Sequence, residues 1–229
     1  MKFSIIMPVY NEENTLKECL NQVVKAEMPL GTKKEIVVIN DGSTDNSKKI
    51  LEKLRKLNIK IISYNKNKGK GFAIRQGIKH ATGDYIVIQD ADLEYDPQDY
   101  INLITPILEK KAVVVYGSRF LGPHKNLFFW NMVANKFLSF LTNILYNSTL
   151  SDMEVGYKLI PRKLILSLNL QEDRFGFEPE VTTKILKKGI RIYEVPISYV
   201  GREYHEGKKI TWKDGVRAVY LLLKYRIFN

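Results

Sequence analysis

The amino-acid sequence predicts an α/β fold in which a central, mostly parallel sheet is flanked by helices. Short apolar runs rich in β-branched residues alternate with segments whose apolar residues recur at helical spacing. The 229 residues, 45% of them hydrophobic and 27% charged, lie in the globular range and show no linker or repeat. We therefore expect one domain over residues 1–229.

Five apolar runs in the first half predict buried parallel strands. They are Phe3–Met7, Glu35–Ile39, Lys60–Ser63, Tyr85–Gln89 and Ala112–Tyr116. Apolar stripes at helical spacing lie between them, within 16–24, 50–57 and 101–108. After residue 119 the pattern changes to a long hydrophobic segment, a short stretch around Ser151–Ile160, two more helical patterns and a last strand near Ile190–Val195.

The charge and the single cysteine restrict the partners and the compartment. A formal net charge of +11 favours anionic partners such as nucleotides, phospholipid headgroups or nucleic acid. Cys19 has no partner for a disulfide, which predicts a core residue and a reducing compartment. The apolar run at the N-terminus is too short for a signal peptide, and no stretch reaches the roughly 18 apolar residues of a membrane span.

Polar clusters follow four of the predicted strands. They are Pro8–Glu12, Asn40–Asp45, Asp90–Glu94 and Gly117–Arg119. In open α/β sheets the ligand binds beyond the carboxyl ends of the strands. The sequence therefore predicts that the four clusters meet at one cleft.

The acidic cluster after the fourth predicted strand indicates a cation site. Asp90 and Asp92 flank Ala91, and residues two apart in an extended segment point to the same side. Hard oxygen ligands without His or Cys suit Mg²⁺ or Mn²⁺. An isolated Asp-x-Asp is more often a surface turn, but the position after an apolar strand and the nearby Glu94 favour the metal site.

The cluster Asn40–Asp45 precedes a predicted helix, so Ser43 or Asp45 is expected to cap that helix and Gly42 to make the turn. This leaves Asp41, whose carboxylate can accept hydrogen bonds from a nucleobase or a ribose hydroxyl. A further loop, 65–71, combines glycines with lysines that include Lys70. It is either a phosphate-binding loop or a plain basic loop, and it lacks the full Walker spacing.

Five motifs in this order resemble the family 2 glycosyltransferases of the GT-A fold. The motifs are PVYNEE (Pro8–Glu13), DGSTD (Asp41–Asp45), NKGKGFAIRQG (Asn67–Gly77), DADLEYDP (Asp90–Pro97) and GSR (Gly117–Arg119). Within that family the chain is most similar to the dolichyl-phosphate mannose and glucose synthase group, and the similarity continues through 152–158 and 201–209. It therefore covers nearly the whole chain.

The resemblance implies a nucleotide-sugar-binding half over 1–119 and an acceptor half over 120–229. The nucleotide-sugar-binding residues that we expect are Pro8, Tyr10, Glu12, Asp41, Lys70, Asp90, Ala91 and Asp92, and the expected metal ligands are Asp90, Asp92 and Glu94. Glu94 stands where the mannose synthases usually have Gln. The QxxRW motif of processive synthases is absent from the sequence, which favours a single transfer.

We expect an inverting transfer of one hexose or N-acetylhexosamine from a UDP- or GDP-sugar to a polyprenyl phosphate of the dolichyl type. A cation bridging the two donor phosphates neutralises the leaving charge. A lipid phosphate, with a second pKa of about 6, can attack without a protein base. The candidate catalytic residues are Asp92, Arg119, Arg202 and Lys208, the arginines because their planar fork binds phosphate. Alternatively, Arg119 pairs with a nearby carboxylate and 202–209 is a solvated loop.

Two other functions remain open at this point. Transfer to a glycan hydroxyl needs a base, for which Asp152 or Glu154 would be the first candidates. A non-catalytic basic module that binds a membrane is the second, and the acids at the strand ends count against it. The same acids would repel nucleic acid, and no recognition motif for nucleic acid is evident.

Two amphipathic segments suggest where the acceptor comes from. Residues 126–147 place Asn131, Asn135, Ser139, Thr142 and Asn143 along one side at helical spacing, with large apolar residues on the rest. This predicts either a core helix or a helix in a membrane interface, and the flanking Lys125 and Lys136 favour the interface. The tail 211–229 combines aromatic and basic residues, which suits anionic headgroups. We expect peripheral binding at the cytoplasmic face of a membrane.

Overall fold

A computed structural model describes residues 1–54, 59–125, 128–202 and 211–228. Its sheet has the strand order β3-β2-β1-β4-β6-β5-β7. The strands are β1 (Lys2–Val9), β2 (Lys33–Asp41), β3 (Lys60–Tyr64), β4 (Tyr85–Ile88), β5 (Val114–Ser118), β6 (Lys158–Pro161) and β7 (Ile192–Pro196). The helices are α1 (Leu16–Lys25), α2 (Ser47–Leu54), α3 (Lys70–His80), α4 (Tyr100–Leu108), α5 (Phe129–Tyr146), α6 (Arg162–Ser167), α7 (Phe177–Lys187) and α8 (Trp212–Ile227).

The sheet is parallel except at β6, which lies antiparallel between β4 and β5. The parallel part is built around β1, which pairs with β2 on one side and with β4 on the other. Its residues from Phe3 to Met7 are fully buried, as a strand covered on both faces requires. The predicted α/β sandwich with a mostly parallel sheet is confirmed.

Helices cover the sheet through their apolar stripes. In α1 the residues Leu16, Cys19, Leu20 and Val23 are buried, while Lys17, Glu18 and Lys25 are exposed. Helix α3 packs closely on β1, where a Cβ added at Gly77 would collide with the side chain of Ile6. Cys19, predicted to be a core residue, is 1% exposed.

The antiparallel strand β6 has a consequence for the site. The five strands predicted in the first half of the sequence are found, and their ends differ from the predicted ends by about two residues or less. For the stretch around 151–160 the sequence predicted neither a strand nor its direction. Because β6 runs against its neighbours, the residues that precede it, 152–157, reach the edge where β4 and β5 end. The polar residues at this edge therefore come from the segment before β6 as well as from the segments after β4 and β5.

Helix α5 turns its polar side toward the protein. Ser139 and Thr142 are 3% and 0% exposed, whereas Phe137, Phe140 and Ile144 are 53% to 63% exposed. Ser139 accepts a hydrogen bond from the backbone N–H of Met153 at 3.0 Å. The apolar residues of α5 thus divide between packing against α8 and exposure to solvent, so α5 is not an ordinary core helix.

Helix α8 packs beside α5 and α7. The hydroxyl of Tyr146 on α5 donates to the carbonyl of Leu222 on α8 at 2.7 Å, and Ala218 and Leu222 are buried with Leu138. Within the described ranges, no helix has both the length and the apolar character needed to cross a bilayer.

Candidate active site

The segment after β4 brings two of the predicted metal ligands to the edge of the sheet. Leu93 adopts a positive φ of 63°, which turns the chain between Asp92 and Glu94. The backbone N–H of Glu94 donates to Oδ1 of Asp92 at 3.2 Å. Buried Ala91 fixes the start of this turn, because its carbonyl accepts a hydrogen bond from the Thr15 hydroxyl at 2.8 Å.

Arg202 joins three of the predicted carboxylates. Its guanidinium lies 3.3 Å from Oε2 of Glu12, 3.1 Å from Oδ2 of Asp92 and 3.4 Å from Oε1 of Glu94. Its backbone N–H also donates to Glu94 at 3.0 Å, and the Tyr199 hydroxyl donates to the other oxygen of Glu94 at 2.8 Å. The alternative that Arg202 lies in a solvated loop is therefore wrong for this residue.

Negative charge is concentrated around Asp92. Burial, reinforced by the charges of Asp90 and Glu94, raises the pKa of Asp92 to about 8, although Arg202 acts in the opposite direction. The carboxylates of Glu12, Asp92 and Glu94 surround the guanidinium of Arg202. Such a cluster offers the hard oxygen ligands and the negative charge that suit Mg²⁺ or Mn²⁺. Among the residues described, no three acidic, His or Cys side chains form a metal site by themselves. A cation on Asp92 and Glu94 would therefore need water or phosphate oxygens to complete its shell.

Asp90 is turned toward a different partner from the one expected. The ammonium of Lys70, at the start of α3, lies 2.9 Å and 3.0 Å from the two oxygens of Asp90 and 2.9 Å from Oε1 of Glu178. Burial alone would lower the pKa of Lys70, but the charges of Asp90 and Glu178 hold it well above its usual value. Lys70 thus serves as a bridge between two carboxylates, and its predicted contact with the donor stays a prediction.

Asp41 holds the loop that precedes α3. Its carboxylate accepts hydrogen bonds from the backbone N–H groups of Lys68 and Gly69, the latter at 2.7 Å, and from the side chain of Asn67 at 3.0 Å. It is 2% exposed, and burial raises its pKa despite these hydrogen bonds. In this structure Asp41 orders the basic loop, and its role toward a nucleoside is a separate prediction.

The turn after β2 forms as expected. Gly42 has a φ of 70°, and the carboxylate of Asp45 accepts a hydrogen bond from the backbone N–H of Ser47 at 2.9 Å, at the start of α2. At the end of β1, Pro8 and Tyr10 are half-buried beside this turn. Their contact with a nucleoside stays a prediction.

Beyond β5, Arg119 pairs with Asp152. Its Nε and one terminal nitrogen each lie 2.7 Å from a different oxygen of Asp152, and its backbone N–H donates to the same carboxylate at 3.0 Å. Burial acts to lower the pKa of Arg119, but the Asp152 charge holds it well above the usual value. The alternative pairing with a nearby carboxylate is therefore the arrangement found. Asp152, one candidate base, is fully buried in this pair.

Glu154, the other candidate base, lies in a crowded electrostatic environment. Burial, together with the charge of Glu178, raises its pKa to about 8, while Lys158 and Arg119 act to lower it. Lys158 is fully buried; its ammonium donates to the Met153 carbonyl at 2.9 Å, and burial lowers its pKa to about 8. Burial and the charge of Glu178 therefore make the Glu154 carboxyl group hold a proton more readily than an ordinary glutamate does.

Sequence reasoning missed Glu178, Lys158 and Tyr199. A signal for Glu178 was present, because it stands between the buried Phe177 and Val181 at the start of α7, where an acid is costly unless paired. Lys158 gave a similar signal, because it begins the apolar strand β6 and follows the apolar Tyr157. Lys208, predicted to bind phosphate, lies outside the described residues.

The mostly parallel sheet, with acidic segments gathered at the ends of its central strands, defines the class of protein as an α/β enzyme fold of the GT-A type. A model of the family described as glycosyl transferase family 2 matches residues 4–167, and the chain belongs to this family. Among curated proteins it is 29% identical over 214 residues to an uncharacterized protein of Methanocaldococcus jannaschii, with 88% of each chain covered.

Two solved structures are similar in fold. One is glucosyl-3-phosphoglycerate synthase from Mycobacterium tuberculosis in complex with Mn²⁺, UDP and glucosyl-3-phosphoglycerate, with a TM-score of 0.74, 19% identity and coverage of 100% of this chain and 81% of that chain. The same enzyme is also known with Mg²⁺ and UDP. The other is residues 1–349 of TarS from S. aureus with UDP-GlcNAc, with a TM-score of 0.68, 22% identity and coverage of 98% and 66%.

Proposed function

We propose that this protein transfers one sugar, with inversion, from a nucleotide-sugar to a polyprenyl phosphate at the cytoplasmic face of a membrane. The single observation that carries the proposal is the proximity of the acidic cleft to an exposed apolar surface. Met153, next to Asp152 of the cleft, donates to Ser139 on α5, and Lys136 on α5 lies 3.8 Å from the ring centre of Phe120, next to Arg119. A lipid chain on that surface would bring its phosphate to the cleft.

The donor side of the proposal rests on Asp92 and Glu94. These carboxylates would hold Mg²⁺ or Mn²⁺, which supplies a positive charge to the diphosphate as it leaves. Structures of the same fold contain Mn²⁺ or Mg²⁺ with UDP, which supports this assignment for the present chain. The predicted nucleoside contacts of Pro8, Tyr10, Glu12 and Asp41 belong to the same proposal.

The acceptor side rests on Arg119. Two of its side-chain N–H groups donate to Asp152, and among the described residues the other three of the five guanidinium N–H groups are left for another partner. The ion pair orients the guanidinium, and the remaining donors suit a phosphate. Arg202 and Lys208 are the other cations that we assign to phosphate. No base is needed, because the attacking phosphate oxygen is already ionised at neutral pH.

The membrane side rests on the outer faces of α5 and α8, which we call the apolar surface. Its residues that are at least 52% exposed are Phe129, Trp130, Phe137, Phe140, Ile144, Trp212, Val216, Tyr220 and Ile227. Exposed surfaces of this extent mark interaction sites in soluble proteins. Lys213, Arg217 and Arg226 flank it and complement anionic headgroups.

A second candidate function is transfer to a sugar hydroxyl. One observation favours it, namely that Oε1 of Glu154 is buried and has no hydrogen-bond partner among the described residues, so that the ionised carboxylate could take a proton from a hydroxyl. Family membership and the acidic cleft count against a non-catalytic membrane module.

A donor panel tests the proposal. The protein is incubated with labelled UDP-glucose, UDP-N-acetylglucosamine or GDP-mannose, with Mg²⁺ or Mn²⁺, and with polyprenyl phosphate in vesicles. We expect label from one donor to enter the organic extract only when metal is present. Transfer to a soluble glycan, with none to the lipid from any donor, would overturn the proposal in favour of the second candidate.

A further inference from the structure

Glu178 carries a buried carboxylate oxygen that has no partner among the residues the structure describes. The residue lies in the first turn of α7 and is 4% exposed. Its Oε1 pairs with Lys70 at 2.9 Å, but its Oε2 accepts no hydrogen bond within the described part of the chain. A buried acceptor left unpaired costs about 1–3 kcal/mol, and more when the group is charged. Such an oxygen is explained if a ligand donates to it.

The position of Glu178 restricts what that ligand is. Through Lys70 it is tied to Asp90, on the side of the cleft that we assign to the diphosphate. The charge of Glu178 also raises the pKa of Glu154. The charge of Arg119, on the side that we assign to the acceptor, lowers the pKa of Glu154. Glu178 is thus linked through Lys70 to one side of the cleft and through its charge to the other, and in the proposed function the transferred sugar lies between these two sides.

The chemistry of the oxygen points the same way. A carboxylate repels the phosphates on either side of it but accepts strong hydrogen bonds from neutral hydroxyl groups. Glu154 adds to the same cluster a second buried oxygen, Oε1, that has no partner in the described ranges. Two orphan acceptors suit a ligand that carries several hydroxyl donors.

We propose that Oε2 of Glu178 accepts a hydrogen bond from a hydroxyl of the sugar being transferred and so selects the donor. This inference rests on the proposed function, because it assumes that a nucleotide-sugar occupies the cleft. A site built to bind a hydroxyl discriminates strongly against the analogue that lacks it, since its own polar group is then left unpaired.

Glu180 provides a matched control on the same helix. It is 0% exposed, against 4% for Glu178, but its oxygens accept from the backbone N–H groups of Gln171 and Glu172, from Lys184 at 2.7 Å and from the Tyr225 hydroxyl at 3.0 Å. Its hydrogen-bonding capacity is used within the protein. Glu180→Gln should therefore affect stability without affecting the choice of sugar.

The experiment compares binding of a nucleoside diphosphate, its sugar conjugate and the monodeoxy analogues of that sugar, by calorimetry with Mg²⁺. The conjugate is whichever of UDP-glucose, UDP-N-acetylglucosamine and GDP-mannose binds most tightly. We expect wild type to bind one monodeoxy analogue at least about 10-fold more weakly than the parent, a difference of about 1.4 kcal/mol. In Glu178→Ala this ratio should fall to near one while affinity for the nucleoside diphosphate changes less than about 2-fold.

Two results would overturn the inference while leaving the proposed function intact. In the first, wild type binds every monodeoxy analogue as tightly as the parent, a measurement that needs no variant to fold. In the second, Glu178→Ala keeps the discrimination of wild type, or Glu180→Gln loses it equally. Failure of every nucleotide-sugar to bind would overturn the proposed function itself and this inference with it.

Discussion

The guanidinium of Arg119 and the carboxylate of Asp152 form a two-point ion pair with both contacts at 2.7 Å, and the Asp152 side chain is fully buried. The pair ties the end of β5 to the segment that leads into β6. Both residues had been assigned chemical roles from the sequence, one toward phosphate and the other as a base. Their pairing makes Asp152 an orienting partner for Arg119, because both oxygens of Asp152 already accept N–H groups of that residue.

Removing either member of this pair should destabilise the protein. Arg119→Met and Asp152→Asn should each lower the free energy of unfolding by about 3–5 kcal/mol, because each leaves a buried polar partner uncompensated. The double variant should lose less than the sum. Urea denaturation of the four proteins measures this coupling, and strictly additive losses would show that the two side chains are energetically independent.

Asp92 and Glu94 should respond differently to amide substitution. Asp92→Asn should lower metal-dependent kcat/KM by about 100-fold or more, because it removes the charge that holds the cation. Glu94→Gln should stay within about 10-fold of wild type, because the amide oxygen can still accept from the backbone N–H of Arg202 while the amide NH2 can donate to the Tyr199 hydroxyl. Initial rates against Mg²⁺ and Mn²⁺ concentration measure both. Equal losses in the two variants would contradict this division of roles.

Arg202 should compete with the metal for its carboxylates. It contacts Asp92 and Glu94 in this structure, so Arg202→Gln should tighten binding of Mn²⁺ alone by about 10-fold, or about 1.4 kcal/mol. The same variant should slow transfer, because it removes a cation that we propose to bind phosphate. Paramagnetic titration of free Mn²⁺ measures the affinity.

Arg191→Gln is the control for this measurement. Arg191 donates to the carbonyl of Asn147, on another part of the molecule, and should leave the Mn²⁺ affinity unchanged. Weaker or unaltered Mn²⁺ binding by Arg202→Gln would show that the arginine does not occupy the place of the metal.

The apolar surface should control binding to vesicles. Wild type should float with anionic liposomes, while Phe140→Glu on α5 and Val216→Glu on α8 should reduce the floated fraction severalfold, because each places a charge where an exposed apolar side chain stands. Leu30→Glu, at an exposed apolar residue outside both helices, is the matched control. Flotation that is absent in wild type, or lost equally in the Leu30 variant, would count against a specific membrane face.

Much of the fold follows from local patterns in the sequence. The strands from β1 to β5 are continuous apolar runs, and buried parallel strands have that appearance whatever lies around them. The direction of β6 does not follow, because Lys158–Pro161 is a short run whose antiparallel pairing depends on β4 and β5. The sequence also did not predict that the polar side of α5 faces the protein, because a pattern at helical spacing does not show which side of a helix packs against the rest of the fold.

For the candidate site, too, the sequence predicted the positions of residues but not their contacts. Sequence reasoning placed the acids after the strands, because strand ends meet at one edge. It did not give the pairing of those acids, since Arg202 with Asp92 and Lys70 with Glu178 each join residues more than a hundred positions apart. Contacts over such separations are decided by the packing of the whole chain.

The acceptor group is the central claim, and one comparison tests it most directly. Initial rates of sugar transfer are measured in the same vesicles with polyprenyl phosphate and with the polyprenol of equal length, which lacks only the phosphate. We predict metal-dependent transfer to the phosphate and none above background to the alcohol. Comparable transfer to the polyprenol would contradict the account, because it would require a base that activates a hydroxyl.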